Sequence, residues 1–210
     1  ARQTGPAGEF YNLTWPAFAG VVQAMAPGRF AVALNQAPLV RRLTLPVYVD
    51  WLCNKIKTFA GRRIPPGHLL RRVIENCRTY NEALDVLTRT PIALPAIFSL
   101  VGTERGEGCV IERLERRAAV LEAPAAAANH WFGKEFKPGK ARGIESYRRH
   151  RLMNGYTVSH VSGFDWLTYP VVNKDTRLAM SANPKAGELF AMGFEADGPA
   201  TRVFEHVHRD

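Results

Sequence analysis

The stretch Phe18-Ala19-Gly20-Val21-Val22-Gln23-Ala24-Met25-Ala26-Pro27-Gly28-Arg29-Phe30-Ala31-Val32-Ala33-Leu34-Asn35 reads as a β-hairpin over residues 17–36. Pro27 presets φ for the first central position of a type II turn, and Gly28 accepts the positive φ of the second. Nearly every residue on either side of the turn is apolar, the pattern of strands covered on both faces. Such strands predict a layered protein, with helices against a sheet or with sheet on sheet and helices outside.

Working outward, Leu69, Leu70, Val73, Ile74 and Cys77 recur at the spacing of one helix face, with Arg71, Arg72 and Glu75 on the other. Thr79-Tyr80-Asn81-Glu82 has the form of a capping box opening a second helix, which carries Leu84, Val86 and Leu87 and ends at Pro91. Residues 92–101 predict a strand with an irregularity or edge position at Pro95. A glycine-bounded turn, a strand over 109–113 and a short strand over 118–121 follow. Residues 124–151 read as a loop running into a helix, and 178–180 with 189–194 form a hairpin about Asn183-Pro184-Lys185-Ala186-Gly187. One domain accounts for residues 1–210.

With 46% apolar and 22% charged residues the composition is that of a globular protein. No run of about 18 apolar residues could span a bilayer. Ala1-Arg2-Gln3-Thr4-Gly5-Pro6 has neither a methionine nor an apolar h-region, so it reads as an interior point of a longer precursor. The compartment is left open, a soluble cytoplasmic protein being the default. The net charge of +9 suits nucleic acid, an anionic membrane surface or an anionic substrate. Its dispersal in pairs such as Arg41-Arg42, Arg71-Arg72 and Arg116-Arg117 suits solvated faces better. Cys53, Cys77 and Cys109 show no CxxC spacing, which argues against a disulfide framework and a zinc site. His206 and His208 lack a third ligand and read as a frayed tail, so neither metal nor cofactor is expected.

Four blocks, in order, resemble the acid ceramidase and N-acylethanolamine-hydrolysing acid amidase family. They are Phe18-Ala19-Gly20 with Ala26-Pro27-Gly28-Arg29-Phe30, and Thr79-Tyr80-Asn81-Glu82-Ala83 with Leu87-Thr88-Arg89-Thr90. The third is Gly106-Glu107-Gly108-Cys109-Val110-Ile111, and the fourth Ala128-Asn129-His130-Trp131 with Ser146-Tyr147-Arg148-Arg149. The Asn-His form is similar to the isopenicillin-N acyltransferase branch. The match runs over roughly residues 10–155.

The resemblance implies an α+β fold, the four-layer αββα sandwich of N-terminal-nucleophile hydrolases, lacking its first strands here. It implies a cysteine exposed by self-cleavage, lying upstream of residue 1, whose thiol attacks an amide carbonyl while its own α-amine serves as base. The 210-residue chain alone is then expected to be inactive. Asn129 matches an asparagine that stabilises the oxyanion, and Arg148 matches an arginine near the nucleophile. Asn35 precedes a family carboxylate that Gln36 replaces, and both read as amide donors lining the site. Trp131 is expected to line the substrate site. The implied substrate is a small-molecule acyl amide, with the cleaved N-terminal segment of the precursor as a partner. An acyltransferase, an inactive binding module and a basic nucleic-acid binder stay open as alternatives, the last with His130, Trp131 and Phe132 stacking on a base and Lys140, Arg142, Arg148, Arg149 and Arg151 meeting phosphates. Cys109 after Gly108 is placed on an internal strand, not at a cleavage point.

Overall fold

The computed structural model describes residues 1–38, 49, 63–156 and 164–207. Its centre is a seven-stranded antiparallel meander in sequence order. The strands are β1 (Arg2–Gly5), β2 (Gly8–Leu13), β3 (Gln23–Ala26), β4 (Phe30–Gln36), β5 (Ala96–Val101), β6 (Gly108–Arg113) and β7 (Ala118–Glu122). The deciding hairpin is β3–β4. Ala26 faces Phe30, Arg29 N donates to Ala26 O at 3.1 Å, and Gly28 takes φ 67°. Its first strand is shorter than the apolar run, because Val21 leaves the ladder and donates its N–H to Gly67 O at 2.9 Å. The polar β1–β2 hairpin, turning at Pro6-Ala7, carried too little apolar alternation to be read as strands.

Both faces of this sheet are covered, as the uninterrupted apolar runs require. The helices α1 (Pro66–Asn76) and α2 (Tyr80–Arg89) cover one face. Leu69, Leu70, Val73, Ile74, Ala83 and Leu87 pack there against Phe10, Phe30, Val32, Phe98, Leu100 and Ile111. The capping box forms in part: Glu82 N donates to Thr79 Oγ1 at 3.2 Å, while the returning bond to Glu82 comes from Arg78 N at 2.7 Å, one residue before the cap. Pro66 opens α1 at the position where a missing N–H costs least.

Period-two alternation sends the intervening residues to the other face. Tyr11, Met25 and Ala31 meet Leu189, with Met180 and Ala182 beside them. These last belong to a second antiparallel sheet of β8 (Leu178–Asn183), β9 (Glu188–Glu195), β10 (Gly198–Pro199) and β11 (Phe204–Val207), in which β9 pairs with the other three. Farther along the same face, Ile97, Val110 and Ala119 are covered by Trp131 and Phe136. The third helix, α3 (Ser146–Asn154), follows that covering segment. Helices segregated from antiparallel sheets make an α+β architecture. The described residues stack as helix, sheet and sheet, and do not form a fourth layer.

The tail is not frayed at His206, which lies in β11 with its ring 4.3 Å from that of Tyr11. His208, Cys53 and Arg41-Arg42 lie outside the described residues. No helix among the described residues is long and apolar enough to cross a membrane, and none of their His, Cys, Asp and Glu side chains form a metal-binding group.

Cys109 faces Leu100 and Glu122 in the ladder, is buried, and has its thiol pKa raised by burial. A peptide bond held between two strands is a poor scission point, and a raised thiol pKa opposes nucleophilicity. Mass spectrometry of the intact protein should therefore show no fragment beginning at Cys109. Cys109→Ala should lower unfolding stability by about 1 kcal/mol in denaturant titration, as a small core truncation does. A fragment starting Cys109-Val110-Ile111 would overturn that assignment.

Candidate functional site

Ladder register sets out the site. Asn35 on β4 faces Ile97 on β5, Ile97 faces Glu112 on β6, and Glu112 faces Ala119 on β7. These four form one row across the face turned away from α1 and α2. The loop that follows β7 rides along this row. Asn35 Nδ2 donates to Ala128 O at 3.3 Å, and Asn129 Nδ2 donates to Gln36 O at 2.9 Å. Trp131 drops onto Ile97 and Val110, while Phe132 N and Gly133 N donate to Glu112 Oε1 at 2.5 and 3.3 Å. Burial raises the Glu112 pKa and those two N–H bonds oppose the rise, so the carboxylate serves as an anchor for the loop.

The helix behind this loop holds it by one face. Ser146, Arg149 and His150 stand at i, i+3 and i+4, on the inner side of α3. Ser146 Oγ accepts from Asn129 N at 2.8 Å and lies 2.8 Å from His130 Nδ1. Arg149 Nη2 donates to Asn129 Oδ1 at 2.9 Å, and Arg149 Nε donates to Ile144 O at 2.7 Å. Arg142 closes the group: its N donates to Asn129 O at 2.9 Å and its Nη1 to Gln36 Oε1 at 3.2 Å. Asn129 is thereby fixed through its backbone and both ends of its amide. One of the two Nδ2 hydrogens remains for a ligand.

Asn35, Gln36, Asn129, Arg142 and Arg149 line one cavity of about 510 Å³. Burial lowers the pKa of both arginines. A second cavity, of about 380 Å³, lies over the next two rows of the same sheet face, lined by Ala31, Ala33, Ser99, Val110, Met153 and Met180. Ala31, Ala33 and Asn35 alternate on β4 toward that face, so the strand carries small apolar residues under one cavity and an amide under the other.

Two expected site residues lie elsewhere. Arg148 is on the outer side of α3, paired with Glu145 at 3.1 Å and placed over the Tyr169 ring. Helical phase turns it away from its neighbour Arg149, which takes the inward place. Trp131 is buried core, edge-on to Phe136, and does not line the cavity. Arg142, Ser146 and Arg149 were given no role in the amidase site from sequence, although Ser146 and Arg149 stand in the fourth resemblance block. The Ser-x-x-Arg-His spacing of 146–150 was the signal that could have found two of them.

No protein-family model matches the chain. It is 31% identical over 123 residues to the acid ceramidase of Macaca fascicularis, covering 59% of this chain and 30% of that protein. It is 31% identical over 124 residues to the N-acylethanolamine-hydrolyzing acid amidase of Caenorhabditis elegans, covering 59% and 33%. The chain thus matches about a third of the length of these curated relatives. A solved structure of the Caenorhabditis elegans amidase ortholog is 22% identical, with a TM-score of 0.42, covering 58% of this chain and 62% of that one. The resemblance read from the sequence blocks is therefore to acid ceramidase and this acid amidase.

His130 is buried against Tyr147 and His150, with ring centroids 4.1 and 5.3 Å away. Burial lowers its pKa, helped by the charges of His150 and Arg149. Burial also lowers that of His150, against an opposing backbone hydrogen bond with Ala126. The unfolded chain therefore takes up these protons first as pH falls. The stability they support is complete above about pH 6.5 and is lost through the lower folded-state values. Thermal melts between pH 7.5 and 5.5 should show Tm falling with acid, and His130→Phe/His150→Phe should flatten that slope. An unchanged slope in the double variant would assign the acid sensitivity elsewhere.

Proposed function

We propose that the chain is the larger, C-terminal part of a cysteine-type amide hydrolase that cleaves the linear carbon–nitrogen bond of an acyl amide. The observation that carries this reading is the convergence of Asn35, Gln36, Asn129 and Arg149 on one cavity. It occurs in a chain similar to two proteins whose names denote amide hydrolases. The thiol is supplied by a segment upstream of residue 1, its α-amine serving as base. Strands of that segment complete a four-layer αββα sandwich. Among the described residues β8 pairs only with β9, so its other edge is free to accept them.

In this reading the thiolate attacks the carbonyl carbon while the α-amine takes the thiol proton. Charge builds on the carbonyl oxygen, and the unspent hydrogen of Asn129 Nδ2 donates to it. Arg149, donating to Oδ1 of the same amide, draws electron density from it and strengthens that N–H as a donor. Collapse expels the amine, which leaves with the proton, and the acyl group remains as a thioester that water hydrolyses. The apolar cavity beyond Ala33 takes a hydrophobic acyl chain.

A parent protein carrying the upstream segment should hydrolyse N-acyl amides, and a thiol reagent should abolish that activity. Asn129→Ala should lower kcat by roughly 10²–10³-fold, as removal of an oxyanion donor does. Arg149→Gln should cost far more than Arg148→Gln, whose kcat/KM should stay within about twofold, as expected of an exposed ion pair. Turnover by the 210-residue chain alone, surviving Cys109→Ala, would place the chemistry elsewhere, and equal effects of the two arginine changes would sink the assignment of Arg149.

A further inference from the structure

The polar cavity has a charge that amide hydrolysis does not call for. Arg142, Arg149 and Arg177 line it, against Asp175 as the one carboxylate among its lining residues. Among the described residues no carboxylate lies within ion-pair distance of Arg142 or Arg149. Glu145, the nearest acid in sequence, is turned outward to Arg148 and Tyr169. What the two guanidiniums meet instead is neutral: the Gln36 amide, the Asn129 amide and the carbonyls of Ile144 and Arg142. Both line the same cavity, Arg149 Nη2 donates to the Arg142 backbone carbonyl at 3.4 Å, and Arg142 Nε is enclosed without a partner. A partly desolvated cation without a counter-charge is costly, and two lining one cavity are more so. Guanidinium donors lining one cavity suit a carboxylate as the missing counter-charge.

The position along the sheet says which part of a substrate would carry that carboxylate. On β4 the order is Ala31 and Ala33 under the apolar cavity, then Asn35 and Gln36 in the polar one. With the scissile carbonyl at Asn129 and the acyl chain over the alanines, the arginines fall on the amine side. We propose that the cavity binds an amide whose amine portion bears a carboxylate, an N-acyl amino acid, in preference to a neutral amide. This rests on the amidase reading for the position of the scissile bond, and on the geometry of Arg142 and Arg149 for the charge.

Calorimetric titration of the 210-residue chain with N-octanoylglycine, N-octanoylethanolamine and octanoate tests it. N-octanoylglycine should bind at least about tenfold tighter than the neutral ethanolamide, with the advantage shrinking as salt rises from 50 to 500 mM, as screening requires. The advantage should vanish in Arg142→Gln and in Arg149→Gln and persist in Arg148→Gln, with circular dichroism confirming that each variant is folded. Equal binding of the two amides by the unaltered chain, which depends on no variant, would overturn the proposal. So would an advantage that survives both substitutions. Octanoate binding as tightly as N-octanoylglycine would place the carboxylate at the scissile carbon and overturn the amine-side assignment. The titration reads no hydrolysis. A parent protein without amidase activity would therefore remove the earlier reading and leave the preference for anions standing.

Discussion

A sheet with both faces covered has room for polar side chains chiefly where its cover ends or where a bond is waiting for them, and this constraint organises the molecule. The inner strands β3 to β6 are apolar through their middles, Ser99 on β5 apart, because helices press on one side and a second sheet or the 128–136 segment on the other. Polar residues appear at the ends of β4 and β6, as Asn35-Gln36 and Glu112-Arg113. Antiparallel register then brings Asn35 and Glu112 into a single row, two strands apart. One loop can reach both, and in doing so it presents Asn129 at a defined place. The site follows from where the sheet stops being covered.

The layered core was legible because burial on both faces leaves an unmistakable signature, the apolar runs about Pro27-Gly28. Helical spacing over 69–77, the Thr79 cap and the glycine-bounded turn at 102–108 are local features that tertiary packing had no reason to override. The N-terminal hairpin was missed for the opposite reason. Arg2-Gln3-Thr4-Gly5 is half exposed at the edge of the sheet, and only Phe10 and Tyr11 in its partner strand are large and buried. The short strand at 204–207 is likewise mostly exposed, and its place depends on a ladder with β9 that no local pattern announces.

The site was legible in part, and the division falls between chain order and helix phase. Ordered blocks could point to Asn129 and to a pair of arginines, but not to which member of the pair faces inward. Adjacent residues on an α-helix point about 100° apart, so the choice between Arg148 and Arg149 depends on which face of α3 is buried. That face is marked by Ser146 and His150, the two residues of the helix that are fully enclosed. Trp131 was misjudged for a related reason. An aromatic residue beside a candidate site asparagine suggests a substrate contact, yet here it is the weight that holds the loop onto Ile97 and Val110. Arg142 comes from a stretch without periodicity, and only the fold brings it to Gln36.

Gly143 adopts φ 66°, and a Cβ built there would lie 3.0 Å from Arg149 Nη2 and 3.8 Å from Asn129 Oδ1. A side chain there would push the Arg149 guanidinium aside, in a backbone conformation that side chains disfavour. This glycine can therefore serve as a diagnostic when other sequences are sorted. Chains that share the arginine cavity should keep a glycine directly after the residue equivalent to Arg142. A chain with a β-branched residue there should hold its backbone or the arginine equivalent to Arg149 differently. One residue without a side chain records the geometry of its charged neighbours more faithfully than the interchangeable arginines around it.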